Sequence, residues 1–186
     1  MSEGFAACLD GDLRRYRALT RGVPVGSPLS IADRLRILSP RLMPNILIRA
    51  AFTLDRSGFG PIARLVSLIA FLLFGLEFAI RCPIGPGLFL PHTQGTVLGA
   101  ASVGRNATIY QGVTLGAREL DFSFDPGTRP IVKDDVLLGA GAKILGGITI
   151  GAGAKVGANA IVVESIAPGN VALGPVARLL ASNGQP

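Results

Sequence analysis

The chain carries one histidine, His92, inside the run Gly87-Leu88-Phe89-Leu90-Pro91-His92-Thr93-Gln94-Gly95, which reads as a turn just after an aliphatic residue. Imidazole changes charge near neutral pH, so a ring held at such a turn can act as a general base toward a hydroxyl. An isolated histidine is more often structural or solvated than catalytic, so its weight depends on its surroundings. Cys8 and Cys82 lie far apart and form no C-x-x-C pair, which indicates neither a disulfide framework nor a zinc site and fits a reducing compartment.

Such a ring needs a scaffold, and the second half of the chain supplies a periodic one. Val132, Leu138, Ile144, Ile150, Val156 and Val162 fall on a strict period of six. The same beat appears upstream at Ile84 and Leu90, then one residue out of step at Val97, Val103, Ile109 and Leu115. Ala142, Ala154 and Ala160 stand four residues after an aliphatic partner, where a bulky side chain would crowd a corner. A beat of this kind means parallel β-coils stacked into a prism, each aliphatic residue pointing inward onto its counterpart in the next coil. The spacing therefore predicts a mainly β fold with a narrow aliphatic core. The 25 glycines, the absence of tryptophan and a length of 186 residues, enough for one domain and a small appendage, agree with it. Between Leu115 and Val132 the beat is broken by the charged stretch Ala117 to Arg129, expected to be expelled as a loop that does binding work.

The first third differs. Of 15 arginines ten lie between Arg14 and Arg64, while all three lysines lie in the repeat, so the net charge of +6 is uneven. No recognised nucleic-acid motif and no basic stripe with interleaved aromatics accompanies this charge, and no nucleic-acid partner is expected. Phe5 to Leu19 and Ile31 to Leu42 have helical spacing, separated by the Gly22 to Pro28 stretch, and a third helix is expected after Gly60 with Pro61 in its first turn. That helix contains Leu65 to Leu76, twelve residues without a charge, where a bilayer span needs about twenty. It is expected to pack on the end of the prism or on a neighbouring subunit, covering the open coil end. The sharper reading is peripheral contact with an anionic membrane through Arg34, Arg36, Arg49, Arg56 and Arg64. The N-terminus shows no apolar core of secretory type, so a cytoplasmic protein is expected.

Three runs then carry a resemblance: G-P-G-L-F-L-P-H-T-Q-G at 85–95, I-Y-Q-G-V-T-L-G at 109–116, and L-G-A-G-A-K-I-L-G-G-I-T-I-G-A-G-A-K-V-G-A at 138–158. Together they resemble the serine O-acetyltransferase branch of the hexapeptide-repeat acyltransferases, over roughly Leu76 to Leu180. The resemblance implies a left-handed parallel β-helix with an α-helical N-terminal region. The division it suggests is a helical region at 1–76, a β-helix acyltransferase domain at 77–178 with its loop at 117–129, and a tail at 179–186. It also implies a homotrimer or a dimer of trimers, with acetyl-CoA as co-substrate and direct transfer of acetyl to an acceptor hydroxyl. An alcohol is a poor nucleophile until a base withdraws its proton during attack, so one imidazole suffices and no enzyme nucleophile is required. No metal is expected, since metal catalysis on this scaffold needs three histidine ligands and the chain has one.

By the same resemblance His92 activates the acceptor, and counting back without gaps puts its orienting carboxylate at Glu77. A coil of three hexads is 18 residues, so a separation of 15 can place the two on adjacent coils. The pantetheine arm of CoA is implied to lie between two subunits near Gly116, Ala117, Gly139, Ala140, Gly157 and Ala158. Small residues permit close approach there, and corner N–H and C=O groups can match the arm's amides or hold a developing oxyanion. Lys155 and Arg178 are the cations placed for the CoA phosphates. Where the family has an acid just before its histidine this chain has Pro91, and where it has Arg-His-Pro after the loop this chain has Thr128-Arg129-Pro130. Both missing groups help recognise serine in the family, so Pro91, Thr128 and Arg129 mark the acceptor subsite, with Arg129 able to meet a carboxylate or a phosphate. The run L-L-F-G-L-E-F at 72–78 leading into His92 resembles acetyltransferases of polysaccharide assembly. The expectation is an acetyl-CoA-dependent O-acetyltransferase acting on a sugar or glycan precursor. Serine O-acetylation for cysteine biosynthesis is the alternative, amino-sugar N-acetylation a third acceptor chemistry, and a non-catalytic β-helix scaffold the reading from a different class.

Overall fold

The computed structural model describes residues 4–121 and 123–176. Four helices come first, α1 (Phe5–Arg21), α2 (Ile31–Leu35), α3 (Met43–Arg56) and α4 (Gly60–Phe74), with a 3₁₀ turn at Arg36–Leu38. Local chemistry sets their ends. α1 stops at Gly22, which takes the left-handed conformation and donates its N–H to Ala18 O. α2 opens on a capping box in which Ser30 Oγ accepts from Asp33 N–H and the Asp33 carboxylate accepts from Ser30 N–H. The helix expected over Ile31 to Leu42 is only five residues long before it tightens into the 3₁₀ turn, and Pro40 holds the preceding residue extended. α3 is an addition to the expected helices. Its signals were Pro44 in the first turn and the inward pair Ile48 and Ala51.

Twelve short strands follow: β1 (Leu76–Phe78), β2 (Thr96–Leu98), β3 (Ser102–Val103), β4 (Thr108–Ile109), β5 (Thr114–Gly116), β6 (Ile131–Val132), β7 (Leu137–Leu138), β8 (Lys143–Leu145), β9 (Thr149–Ile150), β10 (Lys155–Val156), β11 (Ile161–Val162) and β12 (Val171–Ala172). Gly75, at φ +58, turns the chain from α4 into β1 within one residue, a conformation that a side chain would strain. The strands pair in parallel as three ladders: β1-β2-β5-β8-β11 (face 1), β3-β6-β9 (face 2) and β4-β7-β10-β12 (face 3). A chain that visits three faces in turn and rises one rung per circuit is a triangular prism.

The predicted aliphatic residues line its axis. Leu115, Ile144 and Val162 register along face 1, Val103, Val132 and Ile150 along face 2, and Ile109, Leu138 and Val156 along face 3, all buried. Each such side chain stabilises the fold by roughly 1.5–3 kcal/mol relative to exposure. One position is corrected. β2 turns Thr96 and Leu98 inward, and Val97, expected to point in, faces outward between Glu77 and Thr114. Strand residues alternate sides, so a one-residue shift exchanges core for surface. Leu90 and Leu98 are eight residues apart instead of six, and the surplus forms a turn in which Thr96 N–H donates to Thr93 O. His92 stands on this enlarged corner.

A buried charge cluster ties the helices to the first coil. The Asp12 carboxylate accepts from Arg49 Nε and Nη2, from Asn45 Nδ2, and from the N–H groups of Gly87 and Leu88 at 2.8–3.2 Å. Arg49 in turn donates to Ile84 O and Gly85 O. Burial pushes the Asp12 carboxyl above its ordinary value, against the pull of Arg49. These partners also correct the expected cationic membrane face, because Arg49 is buried on Asp12 and Arg34 is paired with Asp10. Arg56 lies over the Phe52 ring at 5.7 Å. α4 exposes Ile62, Leu65, Leu68, Leu72 and Leu73, and no described helix is long and apolar enough to cross a membrane. Cys8 and Cys82 are both buried and in no disulfide, and burial pushes the Cys82 thiol up to about 12.

Removing Arg49 alone leaves an uncompensated buried carboxylate. Arg49→Met is expected to cost about 3–5 kcal/mol at neutral pH in urea unfolding, whereas Arg56→Ala stays within about 1 kcal/mol. With its guanidinium gone Asp12 must keep its proton when folded, while the unfolded acid titrates near pH 4. The Arg49→Met deficit should therefore shrink as pH falls toward 4 and grow as pH rises.

Candidate active site

Side chains that point outward at the three edges of the prism are the ones free to do chemistry. The edge between face 3 and face 1 stacks His92, then Tyr110 and Gln111, then Gly139 and Ala140, then Gly157 and Ala158, one set per coil. At roughly 4.8 Å per rung this edge runs about 14 Å from His92 to Ala158. The His92 side chain is exposed, and Pro91 beside it is half-buried behind the inward Leu90. Two hydrogen bonds hold the corner onto the end of α4: Thr93 Oγ1 donates to Phe74 O at 2.8 Å and Gly95 N–H donates to Gly75 O at 2.9 Å.

Glu77 is the outward middle residue of β1, between buried Leu76 and Phe78. Its partner across the ladder is Val97, so the Thr93 to Thr96 turn separates it from His92 along the second coil. No hydrogen bond joins Glu77 to His92 among the described residues, and both side chains are exposed at the same end of face 1. One coil above His92, the Gln111 Oε1 atom is buried without a hydrogen-bond partner. The sequence reading passed over Gln111, whose signal was its place within I-Y-Q-G, one rung from the histidine.

The small residues separate by what their size is for. A Cβ at Gly139 would lie 2.7 Å from Ala158 N, so that glycine is needed for coil stacking, while one at Gly157 would lie 3.3 Å from Ala172 O, a tight contact. Gly116 has nothing within 4 Å of that position, so its bareness is open to an incoming chain. Lys155 is exposed on face 3 beside this edge, and Lys143 is spent on Gly112 O at 2.6 Å and Thr114 Oγ1 at 3.1 Å. Arg178 lies outside the described residues.

Gly116, Ala117, Thr128 and Arg129 stand on the other edge of face 1, between face 1 and face 2, where the chain leaves β5 and returns in β6. The returning segment contains a 3₁₀ turn, Pro126–Thr128, capped by the Asp125 carboxylate on Gly127 N–H. Asp121 is the hub of this excursion. Its carboxylate accepts from Ser123, Asp125 N–H, Thr128 Oγ1 and Arg129 Nε, the last at 2.7 Å. Arg129 also donates to Gly99 O and Asp121 O, and its guanidinium lies 4.5 Å from the centre of the Phe124 ring. The arginine expected to meet a carboxylate or phosphate is thus committed to tying the loop to the prism, its side chain only 13% exposed. Desolvation raises the Asp121 carboxyl, but the hydrogen bonds from Arg129, Asp125 and Ser123 outweigh it and hold the acid down at about 2. Beneath the loop is a cavity of about 530 Å³ lined by Ala117, Arg118, Glu119, Leu120, Thr128 and Gly147, among others.

One chain therefore presents two half-sites: an imidazole with a stacked edge, and a braced loop with a cavity on a different edge. Comparisons with known proteins bear on what they do together. The bacterial transferase hexapeptide (six repeats) family matches residues 129–163. The serine acetyltransferase of Helicobacter pylori is 36% identical over 148 residues, covering 79% of this chain and 85% of that protein. Among solved structures, the serine acetyltransferase of Neisseria gonorrhoeae in complex with serine superposes with a TM-score of 0.74 at 28% identity, over 90% of this chain and 65% of that one. A serine acetyltransferase in complex with CoA superposes with a TM-score of 0.77 at 26% identity, over 95% of this chain and 69% of that one. The prism is accordingly a left-handed parallel β-helix behind an N-terminal helical region.

The Asp121 hub generates a test. Asp121→Asn weakens the tie from Arg129 without changing the side chain's size. Deuterium exchange across residues 117–129 should rise at neutral pH while the thermal midpoint of the prism stays nearly constant. In the unaltered chain this tie is complete above the ordinary carboxylate range near pH 4 and is lost as pH falls through about 2.

Proposed function

The chain belongs to the serine acetyltransferase family of hexapeptide-repeat acyltransferases, and from that premise we propose that it transfers the acetyl group of acetyl-CoA to the hydroxyl of L-serine. It is an acetyl-CoA-dependent acyltransferase, and the acceptor is the inferred part. The carrying observation is an exposed histidine on an enlarged coil corner, in a chain that shares 85% of the length of a serine acetyltransferase. The sugar acceptor suggested by the run at 72–78 has no comparable support, because the relative and the solved structures named above are serine acetyltransferases. Arg129, bound within its loop, does not replace the missing serine-binding groups.

In the proposed reaction His92 takes the hydroxyl proton as oxygen attacks the thioester carbonyl, and returns it to the departing thiolate of CoA. Acetyl passes directly between substrates, so the chain's own hydroxyls and thiols stay uninvolved. Glu77 is proposed as the carboxylate that orients the imidazole once substrate fills the corner, since hydrogen bonds of catalytic groups often tighten only in the complex. The CoA arm would run along the stacked edge at Gly139, Ala140, Gly157 and Ala158 and past Gly116 and Ala117 of the next copy, with Lys155 and Arg178 toward its phosphates. Because His92 and the loop lie on different edges of one prism, a complete site is proposed to form between copies, the loop of one closing over the histidine edge of the next. A homotrimer satisfies this symmetrically. The buried, unpartnered Gln111 Oε1 lies on that edge, where an acceptor N–H or a neighbouring chain could satisfy it.

Release of free CoA from acetyl-CoA with L-serine and with a panel of sugar hydroxyls tests this reading. His92→Ala should lower kcat with L-serine by roughly 10²- to 10⁴-fold. Glu77→Gln should lower kcat less than His92→Ala does, by removing the carboxylate that orients the imidazole. Turnover with a sugar but not with serine overturns the acceptor, and no turnover with any acceptor favours the scaffold.

A further inference from the structure

A second concavity lies away from both half-sites, on the edge between face 2 and face 3. It is a cavity of about 370 Å³ roofed by α1 and α3 and floored by the first three coils, a size within the range of small-molecule sites. Its apolar walls include Phe5, Phe52, Pro83, Pro86, Val103 and Ile131. The gap has a structural cause. Asp12 and Arg49 fasten the helices to the backbone at Ile84, Gly85, Gly87 and Leu88, so the roof is propped at one point and spans the outward side of face 2.

The charges around the cavity are unequal in their freedom. Arg49 is fully committed to Asp12 and the two carbonyls. The lining carboxylate of Asp134 accepts from Arg105 N–H at 2.7 Å. Lys133 is exposed, and its ammonium has no hydrogen bond or ion pair among the described residues. Arg105 stands beside it, also exposed. An apolar chamber with the Lys133 ammonium at its rim is complementary to a molecule that is greasy at one end and negative at the other.

We infer that this cavity is a second binding site, for a small molecule with an apolar body and one anionic group, distinct from the acetyl-transfer site. The apolar body occupies the space between Phe5, Phe52 and Ile131, and the anion meets Lys133 at the rim. Since the walls come from α1, α3 and three coils, an occupant joins the helical region to the prism.

The full chain can be titrated with 1-anilinonaphthalene-8-sulfonate, an apolar anion whose fluorescence rises in a dry site, and with neutral N-phenyl-1-naphthylamine. One saturable sulfonate site per chain is expected. Lys133→Glu should weaken the sulfonate about tenfold or more and leave the neutral dye unchanged. Ile131→Trp, which fills the chamber, should remove both dyes, and Leu72→Asp on the exposed face of α4 should remove neither. Unchanged sulfonate affinity in Lys133→Glu overturns the inference, as does loss of the dye in Leu72→Asp. Since Lys133 is exposed, that variant decides the matter even if Ile131→Trp fails to fold. CoA release measured on the same Lys133→Glu protein should match the unaltered chain, which separates this site from the proposed acetyl transfer.

Discussion

The whole molecule depends on one steric requirement: the backbone must bring an aliphatic side chain back to the same place on the axis at every circuit. From the third coil to the fourth the return takes 18 residues, as Ile144 to Val162 and Val132 to Ile150 show. From the second coil to the third it takes 29 on all three faces, Leu115 to Ile144, Val103 to Val132 and Ile109 to Leu138, yet the register holds. The extra residues are expelled together at one corner, since a buried surplus residue would orphan backbone hydrogen-bonding groups on every rung above it. Corners are consequently where variation is tolerated, and the enlarged His92 turn and the Asp121 loop are both corner insertions.

The same requirement explains where charge goes. Among the described residues the buried polar side chains of the prism are Thr96 and Thr108, and ten of the arginines lie in the helical third, where several find buried partners. Arg49 bonds Asp12 and coil carbonyls, Arg17 bonds Asp33 at 2.8 Å, and Arg34 bonds Asp10. A basic N-terminal third thus acts mainly as internal fastening. Buried pairs of this kind add little net stability over apolar packing, but losing one partner is costly, so they specify where the helices dock. Arg129 repeats the theme on the loop, where an expected ligand-binding arginine serves as a brace.

The proposed acetyl transfer draws on two edges of the prism that one chain holds apart. An edge offers a row of small residues and one base, the neighbouring edge offers a loop and a cavity, and the width of face 1 keeps them apart. The proposed homotrimer would join these unlike edges, each copy contributing the half that the next one lacks. The proposed acetyl transfer needs only this apposition and one imidazole. The helical end, with its own cavity on the third edge, is left free for a separate task.

Much was legible in the amino-acid sequence because it is locally encoded. The period of six, the interruption between Leu115 and Val132, the corner around His92 and the helix starting at Gly60 all follow from spacing and side-chain size. Val97 was misjudged because alternation along a strand makes adjacent Val97 and Leu98 equally plausible inward residues until the register of β2 on β1 selects one. Only the tertiary structure could show Arg49 turned inward and Arg129 spent on Asp121, because each depends on partners more than seven residues away in sequence. It also decided that His92 and the loop occupy different edges, for an edge is a property of how many corners the chain has turned, which no single motif contains.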